Sequence, residues 1–357
     1  MIGALWTYPT ATAVDASAKS YVLMDAGTGT VLRERNADTQ MLIASTTKIM
    51  TALVVLEHAE PDELVEILPE AVGIEGSSMY LRAGEEMSVR DLLFGLMLAS
   101  GNDAAVALAH HVAGGIEDFA ALMNEAAQEL GMTNSHFVNP HGLDAEGHYS
   151  TARDMAVLAA RAMELDSFAE IAGTRSIRAA GPSLVNHNKL LWRYSGAQGI
   201  KTGFTKAAGR SLVSAAERDG TRLICVTLSA PDDWNDHTAL YDWGFAHYRY
   251  HGLVAAGELF ATVPVISGVS DQVALIAEEA LSLLVSPEDE VTLIAHTPRF
   301  VYANVRAGEQ AGTLYAQVNG ETVLEVRLLY GETVDLDETI RLDFWEELKW
   351  QWDMIRR

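Results

Sequence analysis

Three short groups of polar residues in this 357-residue chain could do chemistry together. In the first, Ser45-Thr-Thr-Lys48, a hydroxyl precedes an amine by three positions. A serine hydroxyl is a weak nucleophile and needs a base within reach. On a helical turn, positions i and i+3 share a face, so the Lys48 amine can meet the Ser45 hydroxyl. The run from Leu42 to Val55 around Lys48 is apolar. Burial there disfavours the ammonium, lowers the lysine pKa and makes the neutral amine a candidate base. Ser45 reads as the N-cap of a helix, where the helix terminus favours developing negative charge. The same four residues also read as a helix cap followed by an ordinary lysine.

The second group, Ser100-Gly101-Asn102, interrupts an apolar helical stretch. Small polar residues compete there with helical hydrogen bonds, so the group is either a helix break or a place where Ser100 relays protons and Asn102 holds an amide. The third, Lys201-Thr202-Gly203, lies in a segment from Ile200 to Phe204 that reads as an edge strand. Gly203 lets another backbone approach closely. Lys201 and Thr202 offer a charge and a hydroxyl to a carboxylate, although a solvated lysine at a strand start is the plainer reading. Each group is weak alone. They occur once each, separated by 55 residues (45 to 100) and then 101 (100 to 201), in one fixed order.

The elements that must position these groups can be read from periodicity. Residues 20 to 33 read as a β-hairpin around Asp25-Ala-Gly-Thr-Gly29, and 45 to 58 as a helix. Residues 90 to 112 read as a helix broken at Ser100–Asn102. Amphipathic helices follow at about 116 to 130 and 151 to 164, the second headed by Thr151. Arg210–Glu217 and Thr221–Leu228 read as strands joined at Asp219-Gly220, a strong hairpin signal. Residues 236 to 250 read as a helix again. The expected fold class is therefore mixed α/β (α+β), a central antiparallel sheet flanked by helices.

Beyond residue 253 the texture becomes β-rich: Glu258–Val265, Gln272–Ala277, Val291–Ala295, Thr313–Val318 and Thr322–Leu329 alternate with Gly, Pro and Asp turns. These predict a small all-β domain over 253–340. In residues 341–357, Phe344, Trp345, Leu348, Trp352 and Ile355 share one helical face, which predicts a terminal amphipathic helix. Residues 1–18 carry no Lys or Arg and only a short apolar stretch, and read as the remnant of a processed or engineered start. The domain carrying the three groups is thus expected over 19–252.

Composition bounds the function. A formal net charge of −24 repels phosphate backbones, which argues against nucleic acid as a partner. Hydrophobic residues at 49% suffice for a buried core. Cys225 is the one cysteine, inside the apolar run Leu223–Val226, and reads as a buried strand residue. No run of eighteen apolar residues predicts a membrane span. No H-E-x-x-H pattern occurs, and neither metal nor cofactor is expected.

The motif order S-x-x-K, S-x-N, K-T-G is that of penicillin-recognising serine enzymes. The chain resembles the low-molecular-mass penicillin-binding proteins, the D-alanyl-D-alanine carboxypeptidases (serine peptidases of the S11 type). The likeness extends to Met24-Asp-Ala-Gly-Thr-Gly-Thr-Val, Glu75-Gly-Ser-Ser-Met-Tyr-Leu, Leu98-Ala-Ser-Gly-Asn-Asp-Ala-Ala, His141-Gly-Leu-Asp, Tyr149-Ser-Thr-Ala-Arg-Asp-Met and Ala230-Pro-Asp-Asp-Trp. It covers about residues 18 to 250, and Ala307-Gly-Glu-Gln-Ala-Gly-Thr-Leu resembles the family's β-rich C-terminal domain. The resemblance implies a serine β-lactamase/transpeptidase-like fold. It implies Ser45 as acyl-ester nucleophile, Lys48 as base, Ser100 and Asn102 in proton transfer and substrate holding, and Lys201 and Thr202 on the substrate carboxylate. The backbone N–H groups of Ser45 and Phe204 would form the oxyanion hole.

The resemblance further implies removal of the terminal D-alanine from peptidoglycan stem peptides ending in D-Ala-D-Ala, with β-lactams acylating the same serine. Some members add arginines at the carboxylate. Here the corresponding segments read Asn186-His187-Asn188-Lys189 and an acidic 231–237, so His187 and Arg210 are the candidates for that contact. The paired His110 and His111 cannot share one helical face and read as structural. A β-lactamase or a D,D-endopeptidase of the same fold, and a non-catalytic wall-binding protein, are the alternatives. The implied location is extracytoplasmic, secreted or attached to the outer face of the bacterial cytoplasmic membrane. The segment 341–357 resembles the family's amphipathic anchors, so it is a candidate for peripheral membrane contact as well as for packing on the β domain.

Overall fold

A computed structural model describes residues 14–178, 183–286 and 288–339, together with 345, 346, 348, 349, 352 and 356. The chain divides into two compact units between Ala246 and His247. The first contains β1 (Ser20–Asp25), β2 (Val31–Arg35), α1 (Lys48–His58), β3 (Leu64–Glu66) and β4 (Glu86–Ser88). Next come α2 (Val89–Leu98), α3 (Asn102–Ala113), α4 (Ile116–Glu129), α5 (Ala152–Ala162) and α6 (Asp166–Gly173). Short strands β5 (Ser176–Arg178) and β6 (Ser183–Val185) and helix α7 (Leu190–Arg193) lead to β7 (Ala197–Thr205), β8 (Gly209–Arg218), β9 (Thr221–Leu228) and α8 (Asp233–His247).

The central sheet is antiparallel throughout, in the order β2-β1-β9-β8-β7. That order makes β7 an edge strand. Helices α1, α2, α3 and α5 bury Ile49, Leu53, Leu92, Leu96, Val106, Leu108 and Leu158 with the sheet residues Val22, Val213 and Ile224 in one core. The apolar surface removed from water there is what offsets the chain entropy of ordering so many elements. Cap chemistry sets two helix starts: Ser88 Oγ accepts from Asp91 N–H at 3.0 Å, and Thr151 Oγ1 from Asp154 N–H at 3.1 Å. Cys225 is fully buried in β9.

Ser45 is not the N-cap that its sequence position suggests. It sits inside a single 3₁₀ turn, Ala44–Thr47, which runs directly into α1, and neither element has a side-chain cap. The cause lies one residue earlier, where Ala44 adopts a left-handed φ of 49°. The arrangement suits chemistry better than a cap does, because i and i+3 eclipse in a 3₁₀ turn and Lys48 lies directly over Ser45.

At the N-terminal edge, Ala16 and Ala18 are buried. Ser17 donates N–H and Oγ–H to the two Asp236 carboxylate oxygens, both at 2.8 Å. Residues 16–18 are therefore built into the first unit.

The second unit opens with β10 (Arg249–Val254), a strand that the sequence reading divided between domains. It continues with β11 (Leu259–Ile266), β12 (Gln272–Ala277), β13 (Leu281–Val285), β14 (Val291–His296), β15 (Val301–Tyr302), β16 (Gln310–Val318) and β17 (Glu321–Tyr330). Six of these form a sheet, β14-β16-β17-β12-β11-β15, and β10 pairs with β13. Val263, Val273, Leu275, Leu283, Leu314 and Leu328 make its own core. The described residues of the last segment, including Trp345, Leu348 and Trp352, are exposed and mostly helical, while Phe344 and Ile355 lie outside the described residues. Among the described residues, no helix is long and apolar enough to cross a membrane.

Candidate active site

The three polar groups converge on one open cleft of about 320 Å³ in the first unit. Its lining includes Ser45, Ser100, His187, Thr202, Gly203, Phe204 and Arg210. Lys48 sits beneath Ser45, at the first residue of α1, with its side chain wholly buried. Its Nζ lies 3.2 Å from Ser45 Oγ, 2.6 Å from Asn102 Oδ1 and 2.6 Å from the His141 carbonyl oxygen. Burial, reinforced by the charge of Lys201, pushes the amine well below the ordinary lysine range, and Asp103 opposes that shift. In the ammonium form all three N–H groups have an acceptor. In the neutral form two donate to Asn102 and His141, and the remaining lone pair faces the Ser45 hydroxyl, which can then donate to it. That is the geometry of a general base beside its nucleophile.

The break between α2 and α3 supplies the second wall. Ser100 takes a left-handed φ of 61°, which turns the chain sharply so that α3 starts at Asn102. Asn102 is fixed from several sides. Its N–H donates to the Ser77 carbonyl at 2.7 Å, its Nδ2 donates to the Glu75 carbonyl at 2.5 Å, and its Oδ1 accepts from Lys48.

Strand β7 supplies the third wall. Lys201 is buried, with Nζ donating to the Thr202 carbonyl at 3.0 Å, and burial lowers its pKa to about 7. Gly203 is required by closeness. A β-carbon there would lie 3.0 Å from the Ile43 carbonyl oxygen and 3.2 Å from Ser45 N. The K-T-G strand thus lies directly against the backbone of Ser45. Phe204 is exposed at the rim.

Of the two carboxylate candidates, Arg210 is partly spoken for. It donates from Nη2 to Asp233 at 2.6 Å and lies over the Trp234 ring at 5.7 Å, so much of its charge is offset locally. His187 stands on the cleft wall, its pKa lowered by burial and by Lys201. Lys189, Ser77 and Trp234, which sequence reasoning did not single out, also line the cleft. His111 pairs with Glu63 at 3.1 Å, away from this lining.

Sequence reasoning also missed the residues that hold the walls. Buried Asp103 accepts from Ser78 Oγ (2.6 Å) and from the N–H groups of Met79 (3.0 Å), Leu81 (3.2 Å) and Ala104 (2.9 Å). It ties the 75–81 loop to α3 beside Asn102. Gly142, at a φ of 85°, sits where any β-carbon would land on the Ala44 carbonyl. The signal in the sequence was an acid directly after Ser-Gly-Asn, at the head of an apolar helix, where a carboxylate must find donors to be buried.

The comparisons with known proteins agree with this geometry. The family model for D-alanyl-D-alanine carboxypeptidase (peptidase S11) matches residues 7–232, and that for the penicillin-binding protein 5 C-terminal domain matches 248–336. The chain is 35% identical over 324 residues to the D-alanyl-D-alanine carboxypeptidase DacF of Bacillus subtilis (strain 168), covering 86% of this chain and 83% of that protein. It is 36% identical over 346 residues to DacC of Escherichia coli (strain K12), covering 91% and 86%. Crystal structures of penicillin binding protein 5 from Haemophilus influenzae superpose with a TM-score of 0.73 at 30% identity, covering 91% of this chain and all of that one.

The Asp103 clamp makes a direct prediction. Asp103→Ala removes four hydrogen bonds to a charged acceptor and should cost about 3 kcal/mol of stability in urea unfolding. It should also speed hydrogen exchange at the Met79 and Leu81 amides. Unchanged exchange at both would show that the loop is held by something else. With three motifs in one cleft and matching family models over both units, the chain belongs to the D-alanyl-D-alanine carboxypeptidase family of serine peptidases.

Proposed function

We propose that the cleft removes the terminal D-alanine from peptidoglycan stem peptides ending in D-Ala-D-Ala, and that β-lactams acylate the same serine. One observation carries the assignment of roles: the Lys48 amine bridges Ser45 Oγ, Asn102 Oδ1 and the His141 carbonyl in a fully buried position. Ser45 Oγ attacks the carbonyl carbon of the penultimate residue while its proton passes to Lys48. The resulting oxyanion is held by the N–H groups of Ser45 and Phe204. The C–N bond then breaks, the proton reaches the leaving amine, and D-alanine departs. Water hydrolyses the ester and frees Ser45.

The exposed edge of β7 suits a substrate backbone lying alongside it as an added strand. Lys201 and Thr202 receive the terminal carboxylate, with His187 on the cleft wall beside them. Arg210, shared with Asp233, is a weaker contributor. Ser100 sits where it can pass a proton to the leaving group. This substrate lies outside the cytoplasmic membrane, so the enzyme acts there, and Trp345, Leu348 and Trp352 of the terminal segment suit contact with the membrane surface.

The reaction is tested by release of D-alanine from a short peptide ending in D-Ala-D-Ala. Ser45→Ala should lower release by about 10³-fold or more and abolish covalent penicillin labelling. Release at the wild-type rate would assign the nucleophile elsewhere. Fast penicillin hydrolysis would favour a β-lactamase, and cleavage of crosslinked peptides in preference to pentapeptide would favour an endopeptidase.

Lys201 must be charged to hold a carboxylate, and burial brings its pKa to about 7. A cation is lost as pH rises through its pKa, so kcat/KM for the peptide should fall above about pH 7. Lys201→Arg, whose guanidinium stays charged, should remove that alkaline limb. An identical limb in the variant would exclude Lys201 as its source. For the terminal segment, Trp345→Ser with Trp352→Ser should reduce co-sedimentation of the full chain with lipid vesicles; equal sedimentation would place the contact elsewhere.

A further inference from the structure

Next to Ser45, and outside the residues that line the cleft, lies a chain of polar groups that no step of the reaction uses. His148 is buried, and its ring packs edge-on against Phe137 with centroids 5.8 Å apart. Its Nδ1 accepts from Val138 N–H at 3.2 Å. Nδ1 therefore carries no proton, and Nε2 carries one. Nε2 lies 2.8 Å from Thr47 Oγ1 and donates to it. Thr47 Oγ1 in turn donates to the Ala44 carbonyl oxygen at 2.9 Å. Burial keeps the imidazole neutral, with its pKa lowered to about 4, so this direction of donation holds across the neutral range.

The end point of the chain matters. The Ala44 carbonyl and the Ser45 N–H belong to one peptide unit, which is planar and rigid. Fixing the direction of the carbonyl fixes the opposite direction of the N–H. Ala44 is held at a left-handed φ of 49°, which a residue with a β-carbon rarely adopts, so the turn that carries this peptide must be held by its surroundings. Gly142 packs against the same carbonyl and leaves space for it only because it has no side chain. At the N–H end of the same peptide, a β-carbon on Gly203 would stand 3.2 Å from Ser45 N.

We propose that His148, acting through Thr47, locks the Ala44–Ser45 peptide plane so that the Ser45 N–H points into the cleft as an oxyanion donor. His148 and Thr47 are positioning residues. They touch neither substrate nor the reacting atoms. Hydrogen bonds in series also polarise one another, so the lock strengthens the N–H dipole that it aims. This inference rests on Ser45 being the nucleophile of the proposed reaction.

The test uses the full chain with penicillin, carried through to the acyl-enzyme. Thr47→Val removes the relaying hydroxyl at nearly constant shape, and His148→Phe removes the donor while keeping a ring against Phe137. Each should slow acylation by about 10-fold to 100-fold with little change in the dissociation constant of the preceding non-covalent complex. The ester carbonyl of the acyl-enzyme should move to higher infrared frequency in both variants, because an oxyanion donor that is misaimed polarises it less. His148→Gln, which keeps an N–H donor, should recover part of the rate. Wild-type acylation and an unshifted carbonyl in Thr47→Val would overturn the lock, whatever His148→Phe does to folding. Ser45→Ala in parallel separates the two claims. If it still takes the label, the nucleophile is misassigned. If it does not, and Thr47→Val behaves as wild type, only the lock fails.

Discussion

The burial of one amine organises this site. A lysine side chain enclosed by apolar residues loses the hydration that stabilises its charge, and no side chain of opposite charge bonds its Nζ among the described residues. Three oxygens surround Nζ instead, from a 3₁₀ turn, from the start of α3 and from the 139–143 loop. They offer acceptors to the ammonium but carry no full negative charge, so they offset the lost hydration only in part, and burial still drives the amine toward loss of a proton. Lys201, also buried, adds a second positive charge that pushes the same way.

Much of the first unit follows from the need to bring those oxygens together. Helix α1 must be buried for Lys48 to be buried, and every residue from Lys48 to Val55 is buried, all round the helix rather than on one stripe. The α2–α3 break must turn sharply to aim Asn102 back at Lys48, and a left-handed Ser100 makes the turn. The 139–143 loop must reach α1: Thr51 Oγ1 donates to the Pro140 carbonyl at 2.6 Å, and Asn139 Oδ1 accepts from Gly142 N–H at 2.7 Å. The edge position of β7 brings Gly203 against Ser45 while leaving a strand edge for a partner. The cationic side of the cleft is less committed. Arg210 divides its charge with Asp233, while Lys189 and His187 line the same cleft.

The three motif groups were legible because each uses residue types that are odd in their setting: a lysine in an apolar run, a polar triplet inside a helix, a glycine in a strand. The strands and helices were legible from period, and the 219–220 hairpin from its turn residues. Short elements such as β3, β4, β5, β6 and α7 were not, because pairs of three-residue strands and a single helical turn carry too little periodicity to stand out. Nor was the turn at Ser45. Its form depends on Ala44 and Gly142, nearly a hundred residues apart, and sequence order does not reveal that such residues meet. His148 stayed silent for the same reason, since Thr47 lies about a hundred residues away, and Asp103 showed only as an acid at the head of an apolar helix, without the loop it ties.

The proposed reaction needs Lys48 to be a free amine when Ser45 reacts. The chain has six lysines, so carbon-13 labelling at the lysine Cε gives a spectrum simple enough to titrate residue by residue, with Lys48→Arg identifying the signal. The signal of Lys48 should titrate well below the ordinary lysine range. Titration of that signal near pH 10.5, the ordinary lysine value, would contradict the account, because Lys48 would then be an ammonium under working conditions and could not take the proton of Ser45.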